Sequence, residues 1–190
     1  MKFISNKIIK LDRELSDLDL FTLEFVKILR KHVNYVIVSG YVSIVLGRAR
    51  ASEDIDIIVP KIKFSKFLSF LKEIEQNGFY CLNSESNKEL YEYLNDNLAI
   101  RFAKMSTVIP NIELKFAKNK VDDISIRKTV TIRLKDDKII ISNLEMQVAF
   151  KECVLKSPKD IEDARHIRNI AKGRLDEILI TKYKGMLDEI

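Results

Sequence analysis

Apolar residues recur at helical spacing in some stretches and crowd into short β-branched runs in others, and that contrast divides the chain. Leu18, Phe21, Phe25, Ile28 and Leu29 share one helical face, with Ser16 as cap and Asp19 three residues on, which predicts a helix over 17–32. Tyr35-Val36-Ile37-Val38 reads as a buried strand ended by Ser39-Gly40, and 41–47 as a short buried helix ended by Gly47. A strand is expected at 54–59, closed by Pro60. The spacing of Phe64, Phe67, Leu68, Leu71 and Ile74 predicts a helix over 61–76 that stops at Asn77-Gly78. Further along come a short strand at 79–82, a helix at 87–96, and strands at 98–104 and 112–117. Strands at 130–134 and 138–141 flank Asp136-Asp137 as a hairpin.

From Leu144 the pattern becomes helical throughout, with helices at about 144–156, 159–172 and 174–189 broken at Ser157-Pro158 and Gly173. In the last, Leu175, Ile178, Leu179, Tyr183, Met186, Leu187 and Ile190 form one stripe, read as core or as a surface for a partner or second copy. The expectation is an α/β (α+β) body over 1–142 and a helical segment over 143–190. No Gly/Ser linker joins them, so the segment should pack on the body.

Composition narrows the class. A chain of 190 residues, 46% hydrophobic and 32% charged, is globular, which excludes a collagen, a coiled-coil rod and a disulfide scaffold. Lys+Arg 33 against Asp+Glu 28 leaves +5, compatible with a phosphate-bearing partner. No run approaches the ~20 apolar residues of a membrane span, and the stretch around Lys2 and Lys7 is broken by charge too early for a leader. Cys81 and Cys153 have no Cys-x-x-Cys neighbourhood, so the expectation is a reduced, cytoplasmic protein with both as small core residues. With only His32 and His166, a bound metal would be a hard cation on carboxylates, such as Mg²⁺.

Candidate chemistry concentrates in Asp54-Ile55-Asp56. Strand alternation puts both aspartates on one face and Ile55 and Ile57 on the other. Two carboxylates side by side in an apolar strand repel each other, and divalent cations relieve that repulsion. Such a pair suits two metal ions about 3.5–4 Å apart for in-line phosphoryl displacement. Ser39-Gly40, after a strand and opening a helix, offers backbone N–H groups to phosphate oxygens.

Ser39-Gly40, then Asp54 and Asp56 starting fourteen residues after Gly40, resembles the signature of the DNA polymerase β-like nucleotidyltransferase superfamily. Ser52-Glu53-Asp54-Ile55-Asp56 together with Lys159-Asp160-Ile161-Glu162-Asp163 is similar to the small prokaryotic nucleotidyltransferases of the abortive-infection toxin type. The resemblance spans roughly 35–170. It implies a nucleotidyltransferase-fold mixed sheet and transfer of a nucleoside monophosphate from an NTP to a hydroxyl of RNA (tRNA ends in particular), a protein or a small molecule. It implies Mg²⁺ or Mn²⁺ on Asp54 and Asp56, and a third carboxylate on a later strand. Glu113, alternating with Ile112 and Leu114, fits best as metal ligand or general base. Ser39 and Gly40 would bind the triphosphate. Arg48, Arg50, Lys115, Lys151, Lys159, Asp160 and Asp163 would serve the substrate side, and a toxin–antitoxin role follows by the same analogy.

Plainer readings stand beside these. Asp54 and Asp56 would also suit the solvent face of an edge strand, Glu113 an ion pair with Lys115 or a neighbouring strand's lysine, and Lys159, Asp160 and Asp163 an ordinary helix start. His166 reads as structural. The whole chain reads alternatively as a catalytically inactive nucleotide- or RNA-binding regulator, or as a protein-interaction module.

Overall fold

The computed structural model describes residues 1–52 and 54–188. Glu53 of the aspartate motif, and Glu189 and Ile190 at the end of the last expected helix, lie outside the described residues. In chain order the elements are β1 (Lys2–Ser5), β2 (Ile8–Leu11), α1 (Asp17–His32), β3 (Val36–Ile37), α2 (Gly40–Val45), β4 (Asp54–Val59) and α3 (Phe64–Gln76). There follow β5 (Phe79–Cys81), α4 (Asn87–Asn95), β6 (Ile100–Lys104), β7 (Asn111–Phe116), α5 (Lys120–Arg127), β8 (Thr129–Leu134) and β9 (Asp137–Ser142). The C-terminal part holds α6 (Leu144–Phe150), a π-helical turn (Lys151–Leu155), α7 (Pro158–Ile170) and α8 (Glu177–Leu187). The strands join in one mixed sheet, ordered β1-β2-β8-β9-β3-β4-β7-β6-β5. No helix of the described residues is long and apolar enough to cross a membrane.

The sheet is covered on both faces. Ile55, Ile57 and Val59 of β4 and Ile112, Leu114 and Phe116 of β7 are buried on one side. There Phe25 of α1 meets Phe70 of α3, Phe79 of β5 and Phe102 of β6, with ring centroids 5.3–6.0 Å apart. Tyr91 of α4 packs on Phe67 and Phe116. Helices α5, α6 and α8 cover the other face beside Ile58. Most of the stripe expected in α8 turns inward: Tyr183 and Leu187 are buried, Leu175, Leu179 and Met186 pack against the same core, and Ile180, outside the expected stripe, is buried with them. Ile178, also placed on that stripe, is 83% exposed.

Three elements were not anticipated. Strands β1 and β2 form a hairpin around Asn6-Lys7 at one edge, where Ile9 and Leu11 alternate with the half-buried Ile8 and exposed Lys10. Helix α5 is short and polar, but the Asn119 side chain caps it by accepting from the Asp122 N–H. The helix expected over 144–156 instead changes to a π-turn at Lys151 and ends with Lys156 in the left-handed region.

Below the loop that follows β3, one buried carboxylate gathers several donors. Asp19 accepts from Arg13 Nη1 at 2.6 Å and Nη2 at 3.1 Å, from the Ser16 N–H at 2.8 Å, and from the Tyr41 hydroxyl at 2.8 Å. The bulky side chain after Gly40 is therefore anchored in the core and leaves the surface of that loop free. Burial pulls the Asp19 pKa upward, but the bonds from Arg13, Ser16 and Tyr41 outweigh it and hold the group below its ordinary value. Asp19→Ala should cost about 2–3 kcal/mol, because it strands the buried Tyr41 hydroxyl, removes its part of the capping box of α1 and leaves the half-buried Arg13 without its partner. Tyr41→Phe should cost about 1 kcal/mol. A lowered carboxylate pKa gives stability that is present at neutral pH and lost as pH falls through the lowered value. Urea unfolding should therefore show the gap between wild type and Asp19→Ala narrowing in acid.

Candidate active site

Strands β4 and β7 lie side by side and parallel, with Asp54 opposite Asn111, Asp56 opposite Glu113 and Ile58 opposite Lys115. Alternation sends all six side chains to the same face, away from the aromatic layer. Oxygen atoms of Asp54, Asp56 and Glu113 come within 4.8 Å of one another, with Asp54 exposed and the other two half-buried. The aspartates thus lie on a central strand of the sheet.

Three carboxylates this close repel unless cations stand nearby. Arg101, opposite Glu113 on β6, donates to Glu113 Oε2 from Nη2 at 3.0 Å and from Nε at 3.2 Å. Lys115 Nζ stands 3.7 Å from Asp56 Oδ1. These cations do not restore Asp56: burial first, then Glu113 and Asp54, push its pKa above the ordinary value against the pull of Lys115 and the Ser39 hydroxyl. An all-oxygen set of this kind fits a hard divalent cation.

Ser39 follows β3 with φ 64° and ψ −135°, a conformation that favours glycine. At Gly40 an added Cβ would stand 3.2 Å from Arg50 Nη2, so glycine makes room for that guanidinium. The two aspartates and this loop share a cleft of about 470 Å³ whose lining includes Ser39, Gly40, Arg50, Asp54, Asp56 and Lys159.

Behind the cleft lies a buried ionic cluster. Asp163 of α7, with no side-chain exposure, accepts from Lys151 Nζ at 2.7 Å, from Arg50 Nη1 at 2.5 Å and from Arg48. Arg48 also reaches the Lys159 carbonyl at 3.3 Å. Burial alone would raise the Asp163 pKa, but the charge of Lys151, Arg50 and Arg48 leaves it lowered; burial lowers that of Lys151.

This arrangement corrects two expectations. Lys151 is 1% exposed and Asp163 lies wholly inside, so neither offers its side chain to the cleft. Their charges are consumed by one another and by Arg48 and Arg50. Asp160, likewise grouped with the substrate side, lines the cleft, accepts from Ser157 and lies 3.9 Å from Lys151. Lys159 is exposed at the cleft. His166 meets the Leu46 carbonyl at 3.1 Å, tying α7 to the end of α2. Cys81 and Cys153 are free and half-buried. Sequence reasoning missed Arg101, since an exposed strand residue carries no sign of its partner until the β6–β7 register is known.

No protein-family model matches the chain, and no curated protein matches it. Its fold is similar to the crystal structure of an antigenic nucleotidyltransferase-like protein from Paracoccidioides brasiliensis, with a TM-score of 0.55 and 15% identity over 92% of this chain and 89% of that one. The solution structure of the antibiotic-resistance factor ANT(2'')-Ia aligns over 92% of this chain and 94% of that one, at 11% identity and a TM-score of 0.48. The fold is that of nucleotidyltransferase-like proteins, a mixed α/β sheet as the resemblance implied.

Two variants probe this site. Ser39→Gly relieves the positive φ and should raise the melting temperature by about 2–4 °C, the shift that ~1 kcal/mol gives at this size. Asp56→Asn should also raise it in metal-free buffer. A raised carboxylate pKa is a destabilisation present above that pKa and absent below it, so the advantage of Asp56→Asn should shrink as pH falls. Thermal melts from neutral to acid pH check both.

Proposed function

We propose that this protein is a nucleotidyltransferase that moves a nucleoside monophosphate from an NTP to an acceptor hydroxyl and releases pyrophosphate. The observation that carries the reading is the cluster of Asp54, Asp56 and Glu113, whose two aspartates line a cleft shared with Ser39, Gly40 and Arg50, in a nucleotidyltransferase-like fold. Asp54, Asp56 and Glu113 would hold Mg²⁺, which when bound neutralises phosphate charge and relieves the repulsion among the three acids. Ser39, Gly40, Arg50 and Lys159 bind the departing pyrophosphate oxygens. Ser39 and Gly40 present hydroxyl and backbone N–H, while the two cations supply charge. Glu113 takes the acceptor proton on Oε1, Arg101 engaging Oε2.

In this reading Lys151 and Asp163 are positioning residues. They hold Arg48 and Arg50 rigidly, so that Arg50 stays over Gly40 without reorganising when phosphate arrives. The likeness of Lys159-Asp160-x-x-Asp163 to abortive-infection toxins leaves RNA, a protein or a small molecule as the acceptor and extends the reading to a toxin of a toxin–antitoxin pair.

One observation favours a second reading, a nucleotide binder without turnover: Arg101 and Lys115 already stand against Glu113 and Asp56. Calorimetry with each NTP, with and without Mg²⁺, followed by transfer of label from α-³²P-NTPs to RNA and protein fractions, separates the two. Transfer should require Mg²⁺ and fall by about 10²–10³-fold or more in Asp54→Asn and Asp56→Asn, the scale of losing a principal electrostatic group. Mg²⁺-dependent binding with no labelled product from any acceptor would favour the binder. Absence of binding by all four NTPs would end both.

A further inference from the structure

A row of cations crosses the half of the sheet that carries no carboxylate cluster. Lys2 of β1 stands opposite Lys10 of β2, Lys10 opposite Arg133 of β8, and Arg133 opposite Lys138 of β9. Residues directly opposite in a ladder share a face, so these side chains leave the sheet on one side, and all are exposed. At about 4.8 Å per strand the row is about 14 Å long. Arg30, exposed near the end of α1, extends it: Arg30 lines one depression with Arg133 and Lys138, and a second with Lys138, Thr129 and Ile140. Ile141 of β9 pairs with Ile37, and Ile37 with Ile57, so Lys138, three residues before Ile141, lies on the same face as Asp56. It stands at the opposite end of the strands, and none of these cations lines the carboxylate cleft.

Like charges directly opposite in a sheet are destabilising, and carboxylates nearby are committed to other partners. Asp137 pairs with Lys27 at 2.7 Å, Glu73 with Lys31 at 2.5 Å, and Glu14 with Lys135 at 2.7 Å. Asp136 shares the depression of Arg30, Arg133 and Lys138, yet among the described residues no member of the row makes an ion pair. Lysines on an edge strand guard it against pairing with another chain, which accounts for Lys2. It does not account for Lys10, Arg133 and Lys138, since β2, β8 and β9 are interior strands. Neighbours in the row lie within a Debye length of one another, so their potentials add.

We infer that this row binds the phosphate backbone of a nucleic acid strand, at a surface separate from the carboxylate cleft. A nucleic acid carries its charge on every nucleotide in an unbroken line, which matches a line of uncompensated cations. Phosphates that meet the row release their condensed counterions, and that gain offsets the repulsion the row carries in the free protein. An acidic protein segment would have to place carboxylates in the same uninterrupted line.

The test is fluorescence anisotropy of a labelled single-stranded RNA of about 20 nucleotides, in EDTA and without NTP. Wild-type affinity should fall about 20–50-fold between 50 and 200 mM salt, the loss for three or four phosphates contacted on a single strand. Lys10→Gln/Arg133→Gln/Lys138→Gln should bind about tenfold more weakly or worse at the lower salt, with most of the salt dependence gone. Its melting temperature should equal or exceed that of wild type, because the opposed charges are removed. Its Mg²⁺-dependent NTP binding should be unchanged. A folded variant that binds the RNA as tightly as wild type, with the same salt dependence, would overturn the row as the site. Absence of RNA binding by wild type at the lower salt would overturn it equally. Competition by polyglutamate at the affinity of the RNA would overturn nucleic acid as the partner. Each of these outcomes leaves the nucleotidyltransferase reading standing, because NTP binding and transfer test that reading at a different surface.

Discussion

Asp56 faces Glu113 across a parallel ladder, with Asp54 one step along the same face, and the surrounding structure answers that concentration of negative charge. Like charges directly opposite in a sheet are destabilising. Here they are tolerated because the reverse face of the same strands is continuously apolar and packs an aromatic layer formed by α1, α3 and α4. Hydrophobic burial on one face thus holds two strands in a register that electrostatics on the other face disfavours. Arg101 and Lys115 lessen the repulsion without abolishing it, since Asp56 remains harder to ionise than an ordinary aspartate.

A second electrostatic device joins the C-terminal helices to this site. Asp163 sits among Lys151, Arg48 and Arg50, so the turn after α6, the start of α7 and the loop before β4 are fixed to one another. Buried ion clusters of this kind add little net stability but lose a great deal when one member is removed. That property suits positioning: Arg50 is held over Gly40 by a group too deep to meet a ligand itself. The π-turn that supplies Lys151 to the cluster also places Val154 and Leu155 in two adjoining cavities. A regular helical turn would change the spacing between these three side chains.

Tyr41 shows how a residue type misleads when its direction is unknown. Beside Gly40 in the sequence it looks like an obstruction of the loop. In the fold it points away, fully buried, with its hydroxyl on Asp19. Lys151 and Asp163 show the converse. As members of a charged helical pattern they look available to a ligand, yet each is the other's buried partner. Alternation and periodicity assign a face, and they do not say whether solvent or protein lies beyond it.

Local pattern alone determined the strand that carries Asp54 and Asp56, the cap of α1 at Ser16, and most of the later strands and helices, because these depend on side-chain period and on groups a few residues apart. It also determined that two aspartates would share one face. It left the β1–β2 hairpin and α5 unseen, since one is a short edge pair and the other a polar helix held by its cap and its packing. Only the tertiary structure decided that Glu113 stands opposite Asp56, that Arg101 stands opposite Glu113, and that the Lys159–Asp163 segment points its aspartate inward. Those are long-range facts: strand order and helix docking are chosen by the burial of the whole apolar surface at once, which no short stretch of sequence contains.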